Sequence, residues 1–149
     1  MDPIMSKMGN ETLKAELGRS SWRLIHTMVG KFPVTPTDDE KESLLDFIYL
    51  FAKLYPCGDC ARHFQKILRA NPPDVSSRDA ASQWACKVHN LVNKRLGKPQ
   101  FDCSTVAEIW KCGCAEEDGA NSTSTATSTS NSMSTSLPAA SAHSTTLVL

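Results

Sequence analysis

The 149-residue chain balances 16 Lys and Arg against 16 Asp and Glu, so no net field draws it to nucleic acid or anionic lipid. Its length suits one domain of ordinary size. No apolar run is long enough to span a bilayer, since charge interrupts the Leu44–Tyr55 stretch, and residues 1–10 lack the apolar h-region of a signal peptide.

Residues 1–10 are expected to form a flexible N-terminus, and residues 11–117 read as helical. In the first segment Leu13, Leu17, Leu24, Met28 and Phe32 recur at helical spacing, and Pro33 stops it. The second opens with Thr37-Asp-Asp-Glu40, a capping box with acid in the first turn. Its apolar stripe is Leu44, Leu45, Phe47, Ile48, Phe51 and Leu54, ending at Pro56. A third helix starts at the Cys57-Gly-Asp-Cys60 turn and carries Phe64, Ile67 and Leu68 up to Pro72. The fourth follows Ser76 or Ser77, runs through Trp84, Val88, Leu91, Val92 and Leu96, and ends at Gly97 with Pro99 beyond. A short fifth begins at Thr105-Val-Ala-Glu108, again a capping box. Four main helices with short loops predict an all-α four-helix bundle with a short fifth helix. From Gly119 to Leu149, 16 of 31 residues are Ser or Thr and none is Asp, Glu, Lys or Arg. The tail, residues 118–149, is therefore expected to be disordered.

Six cysteines carry most of the chemical information: Cys57, Cys60, Cys86, Cys103, Cys112 and Cys114. An even count suits three disulfides in an oxidising compartment, and zinc or buried thiols in a reducing one. The sequons at Asn10 and Asn121 are compatible with secretion. Cys57 and Cys60 stand at the mouth of a helix, where free N–H groups and the dipole stabilise the thiolate that attacks disulfides. The alternative is a zinc-stabilised binding module using Cys57, Cys60, Cys86 and His89. It puts its second pair in mid-helix and leaves Cys103, Cys112 and Cys114 unexplained. A Cys86–Cys103 disulfide would pin the last helix to the bundle, closing a loop worth about 3 kcal/mol. Cys112-Gly-Cys114 closes a very small ring, which Gly tolerates best. A reducible dithiol beside a rigid domain reads as a carrier, or else as a terminal metal or crosslinking site. An inert disulfide-stapled helical domain is a third reading of the whole.

Arg19, Trp22 and His26 lie along one side of the first helix, where Gly18 permits close approach. Cys86, His89, Asn90 and Asn93 share a side of the fourth. Together these faces suit a flat heteroaromatic ligand with a polar edge. No G-x-G-x-x-G occurs, so a dinucleotide would have to be held by helices.

Gly18-Arg-Ser-Ser-Trp22…His26, Tyr55-Pro-Cys-Gly-Asp-Cys60…His63-Phe64, Trp84-Ala-Cys86…His89-Asn90…Val92-Asn93, Leu96-Gly-Lys98-Pro and Phe101-Asp-Cys103 resemble the Erv/ALR sulfhydryl oxidases. The likeness runs from about Glu16 to Cys114, and the Cys-Gly-Cys placed after the domain resembles the fungal endoplasmic-reticulum member. Asp59 replaces the commoner Glu and keeps the acid. The resemblance implies FAD bound at the mouth of the bundle and a homodimer through the first two helices. It makes Cys60 the sulfur against the isoalloxazine and Cys57 the one that exchanges with Cys112–Cys114. It places Gly18, Arg19, Trp22, His26, His63, Cys86, His89, Asn90, Asn93, Lys94, Lys98 and Trp110 around the FAD. Electrons would pass from protein thiols, or from a thioredoxin-like oxidoreductase such as a protein disulfide isomerase, to dioxygen, giving hydrogen peroxide. No metal is implied, and the expected location is the endoplasmic reticulum lumen or another secretory compartment.

Overall fold

Asn10 opens the first helix by accepting a hydrogen bond on Oδ1 from the N–H of Leu13 at 3.1 Å, and α1 runs from Glu11 to Lys31. The computed structural model describes residues 2–111 and Gly113, and within them every regular element is helical. The capping box forms at the start of α2 (Asp38–Leu54). There Thr37 N–H donates to Glu40 Oε2 at 2.8 Å and Glu40 N–H donates to Thr37 Oγ1 at 3.3 Å. Cys57 is the N-cap of α3 (Gly58–Ala70), and Ser77, rather than Ser76, caps α4 (Arg78–Arg95). A 3-10 turn, Cys103–Thr105, leads into α5, Val106–Ile109.

Two sequence expectations change. The capping box at Thr105 does not form, because Thr105 makes no side-chain cap bond. Asp102 takes over that work one turn earlier, accepting from the N–H of Ser104 at 3.0 Å and its hydroxyl at 2.7 Å. The local hydrogen bond tightens the chain into the 3-10 turn before an α-turn can start. On α1, the stripe that turns inward is Trp22, Ile25, His26 and Val29, whereas Leu13 and Leu24 are more than half exposed. The helix carries two apolar stripes, and only one faces the bundle.

Antiparallel packing of α1 on α4 builds the centre. At one end Arg78 Nε donates to the Phe32 carbonyl, and the Ser82 hydroxyl donates to the Val29 carbonyl. Further along, His26 meets His89. The buried Gln65 ties α3 to α2 through the Ala52 carbonyl at 3.0 Å, and Trp84 Nε1 ties α4 to the end of α3 at the Asn71 carbonyl. Ile25, Val29, Leu44, Ile48, Phe64, Leu68 and Val88 fill the space between. Burying such side chains contributes about 1.5–3 kcal/mol each. The ion pairs Lys14–Glu11, Lys41–Asp38 and Arg62–Asp59 are solvent-exposed and are worth about 0–1 kcal/mol each. Apolar packing therefore sets the stability.

A smaller cluster of Cys86, Val106 and Trp110 joins α5 to the outer side of α4. Cys86 is bonded to Cys103, with Cα atoms 5.8 Å apart. Near the N-terminus, Ile4 N–H donates to the Lys53 carbonyl and Gly58 N–H donates to the Ser6 carbonyl. Cys112, Cys114 and the Ser/Thr-rich tail lie outside the described residues. Removing the second disulfide as Cys86→Ala/Cys103→Ala should lower the unfolding free energy by about 3 kcal/mol. Denaturant melts of parent and variant measure this, and an unchanged midpoint at equal slope would contradict the pinning role.

Candidate active site

Cys57 and Cys60 are bonded to each other, with Cα atoms 5.2 Å apart. The N–H of Cys60 donates to Cys57 Sγ at 3.4 Å, so this sulfur takes the N-cap position of α3. A thiolate released here meets free N–H groups and the positive end of the helix dipole, which lower its pKa. Cys57 has no exposed surface. Cys60 is half-buried and opens onto a cleft of about 310 Å³ between α1, α3 and α4. That volume falls in the range of small-molecule sites.

The cleft brings together much of what the sequence singled out. Gly18, Trp22, His63, Asn93 and Lys98 line it beside Cys60. Behind it two parallel stacks interleave across three helices. Trp22 lies on His89 with ring centroids 4.1 Å apart, and His26 lies on Trp110 at 4.3 Å, each within 7° of coplanar. His26 Nε2 and His89 Nδ1 are 2.8 Å apart and share one proton-mediated hydrogen bond. Burial lowers the pKa of His26 to about 3. Burial does the same to His89, again to about 3, helped by His26 and then by Lys98. Both rings are therefore neutral at pH 7.

This neutrality has a geometric consequence. Whichever ring donates in the shared bond, the outer nitrogens of the pair present one donor and one acceptor. Those nitrogens, His26 Nδ1 and His89 Nε2, have no protein partner, nor do Asn93 Oδ1, Asn93 Nδ2 and Trp110 Nε1, and all are buried. A buried polar group left unpaired costs about 1–3 kcal/mol. The set of donors and acceptors beside parallel rings matches the edge and faces of a planar heteroaromatic ligand.

Other predicted residues do different work. Asn90 donates through Nδ2 to the Phe101 carbonyl at 2.9 Å and accepts on Oδ1 from the Phe101 N–H at 2.8 Å. Its amide is spent on placing Phe101, whose ring lies 5.0 Å from that of His89. Cys86 packs under Trp110 through its disulfide cluster. Arg19 and Lys94 are exposed. Lys98 is half-buried, and its pKa is lowered by desolvation and then by the charge of Arg19. His63 is likewise lowered, by burial, then by Arg95 and Lys66. The sulfurs needed by the zinc alternative are committed to two disulfides, with Cys86 joined to Cys103 rather than grouped with Cys57 and Cys60. Tyr55, Ser21 and Arg95 also line the cleft and were not singled out. Tyr55 and Ser21 sit inside the quoted motifs. Arg95 lies two residues past Asn93, off its helical face, and reaches the cleft on a long side chain.

A model of the Erv1 / Alr family matches residues 19–111, and the chain belongs to that family. It is 47% identical over 116 residues to the FAD-linked sulfhydryl oxidase ERV2 of Saccharomyces cerevisiae, covering 78% of this chain and 59% of that protein. It is 45% identical over 101 residues to the mitochondrial FAD-linked sulfhydryl oxidase ERV1 of the same yeast, covering 68% and 53%. The chain thus spans somewhat over half the length of these curated relatives. The crystal structure of the FAD binding domain of Erv1 from Saccharomyces cerevisiae superposes with a TM-score of 0.65 at 42% identity, covering 72% of this chain and 99% of that one.

The buried histidines make stability depend on pH. Between pH 6.5 and about 3 the unfolded chain takes up protons at His26 and His89 that the folded chain refuses. Stability therefore rises with pH across this window and falls on acidification, by about 2 kcal/mol per histidine at pH 5. Asp74 and Asp102 are held below the usual carboxylate range by hydrogen bonds from Ser76 and Ser104, so they act at lower pH. Thermal melts at pH 7 and pH 5 should show the fall in the parent and a reduced one in His26→Gln/His89→Gln. A parent equally stable at both values would contradict the buried neutral pair.

Proposed function

We propose that this chain is an FAD-dependent thiol oxidase that makes disulfides in protein substrates and reduces dioxygen to hydrogen peroxide. The observation that carries the reading is the Cys57–Cys60 disulfide at the mouth of α3, with Cys60 opening onto a cleft backed by unpaired buried polar atoms. The residues present fit FAD. Trp22, His26, His89 and Trp110 offer stacking faces and a donor–acceptor edge. Gly18 lines the cleft wall, Asn93 offers its amide, His63 offers a neutral ring, and Arg19, Lys94 and Lys98 supply the cationic character a diphosphate needs. Asn90 and Cys86 act as positioning residues behind them. When bound, FAD supplies the two-electron acceptor and hands those electrons to dioxygen.

The chain's own part is thiol–disulfide exchange. An incoming thiolate bonds to Cys57 Sγ, the Cys57–Cys60 bond breaks, and Cys60 leaves as a thiolate at the cleft and the helix mouth. We assign Cys112 and Cys114 the carrier role, taking electrons from a reduced protein or a thioredoxin-like oxidoreductase such as a protein disulfide isomerase. Gly113 between them has φ 63°, a backbone region that favours glycine. The working domain is residues 11–117, followed by the Ser/Thr-rich tail. A homodimer through α1 and α2 is supported by the exposed Leu13 and Leu24 on one helix and Leu50 and Leu54 on the other. An oxidising secretory compartment, the endoplasmic reticulum lumen first, suits the placement of Cys112-Gly-Cys114 after the domain, and the activity would there serve protein folding.

Oxygen consumption with two reductants tests the reading. The parent should oxidise both dithiothreitol and a reduced protein. Cys57→Ser and Cys60→Ser should each abolish both activities while flavin stays bound. Cys112→Ser/Cys114→Ser should keep most dithiothreitol oxidation and lose most activity on the protein. Near-normal turnover in either Cys57→Ser or Cys60→Ser would overturn the assignment, and full protein oxidation without Cys112 and Cys114 would remove the carrier.

A further inference from the structure

Exchange at Cys57 demands that a sulfur reach it, yet Cys57 has no exposed surface and does not line the cleft that Cys60 opens onto. The N-terminal segment docks on the residues around it. The N–H of Gly58, the residue directly after Cys57, donates to the Ser6 carbonyl at 3.0 Å, and Ile4 N–H donates to the Lys53 carbonyl at 3.1 Å. Lys7 Nζ stands 3.5 Å from Asp59 Oδ2, inside the same C-x-x-C. A Cβ on Gly58 would fall 2.4 Å from the Met5 carbonyl oxygen and 3.1 Å from that of Ser6, so this approach requires glycine there.

The hold is light. Ile4 is 59% and Met5 40% exposed, so the segment buries little apolar surface. The Lys7–Asp59 pair is solvated on the Lys7 side and contributes little. Two backbone hydrogen bonds remain, and segments held this way open at low cost.

We propose that residues 4–7 form a strap over the redox motif that must lift before a thiolate can attack Cys57, and that Gly58 is the residue that lets it close. The strap then selects thiols by size. Dithiothreitol, small enough to slip past a partly lifted segment, is hindered little, and a cysteine on a folded protein is hindered strongly. The inference rests on the thiol-oxidase reading for its biological use, but its physical content is the accessibility of one sulfur.

The test reads that accessibility without turnover. Flavin-loaded full-length protein carrying Cys112→Ser/Cys114→Ser, to remove any relay, is reduced without oxygen by dithiothreitol or by reduced thioredoxin. Samples are quenched with iodoacetamide, and alkylated Cys57 and Cys60 are counted by mass spectrometry. A strap closed about nine-tenths of the time slows the excluded reductant about tenfold. Deleting residues 2–7 should therefore speed reduction by thioredoxin about tenfold and by dithiothreitol less than about twofold. Ile4→Pro, which removes one strap hydrogen bond, and Gly58→Ala, which expels the Met5 carbonyl, should move in the same direction. Unchanged rates after the deletion would overturn the strap, and equal acceleration for both reductants would overturn size selection. A protein that bound no flavin and oxidised no thiols would sink the oxidase reading instead, and the ratio of the two reduction rates would still be measurable.

Discussion

A single hydrogen bond between two neutral histidines, His26 on α1 and His89 on α4, sits where the two longest helices cross the middle of the bundle. Burying two imidazoles is tolerable only if they stay uncharged and pair with each other, and the lowered pKa values of both express that condition. The bond fixes the register of α1 on α4. That register brings Trp22 onto His89 and places His26 where Trp110 can lie on it. The other end of the helix pair is held separately, by Arg78 and Ser82 on the carbonyls of Phe32 and Val29.

The Cys57–Cys60 pair is built on a different helix, and this division explains the rest of the architecture. Cys57 needs a helix mouth, which α3 supplies, and α3 is held in place by its own Gln65 bonding to the Ala52 carbonyl of α2 and by Trp84 of α4 bonding to the Asn71 carbonyl. Cys60, Trp22 and Asn93 thus line a common cleft, with the polar ring edges of His26 and His89 buried behind it, although no local segment contains them all. The second disulfide keeps Trp110 in place from outside, since Cys86 and Cys103 anchor the turn that precedes α5. One disulfide stands at a helix N-terminus, where we propose it does the chemistry, and the other lies in a satellite cluster.

Much of this was legible in the sequence because the signals were local. Thr37 with Glu40, and Cys57 before its helix, each carried a cap that formed. Other signals were ambiguous for physical reasons. Helix α1 bears two apolar stripes, and periodicity alone cannot say that Ile25 and Val29 face inward while Leu13 and Leu24 face out. Thr105 looked like a cap, but Asp102 captured Ser104 first and tightened the turn. Asn90 shares a face with His89 and Asn93, yet its amide reaches sideways to the Phe101 backbone. The docking of residues 4–7 uses backbone carbonyls and the absence of a side chain at Gly58, so no residue pattern announced it.

The unpaired edges of His26, His89, Asn93 and Trp110 are the proposed seat of a flavin. Calorimetric titration of FAD into flavin-stripped protein addresses this directly. The parent should bind about one FAD per chain. His26→Phe/His89→Phe, which keeps the stacked rings and removes the polar edge, should bind at least about tenfold more weakly, as expected for losing hydrogen bonds worth about 1–3 kcal/mol. Equal affinity in parent and double variant, or no binding by a folded parent, would contradict the proposed site.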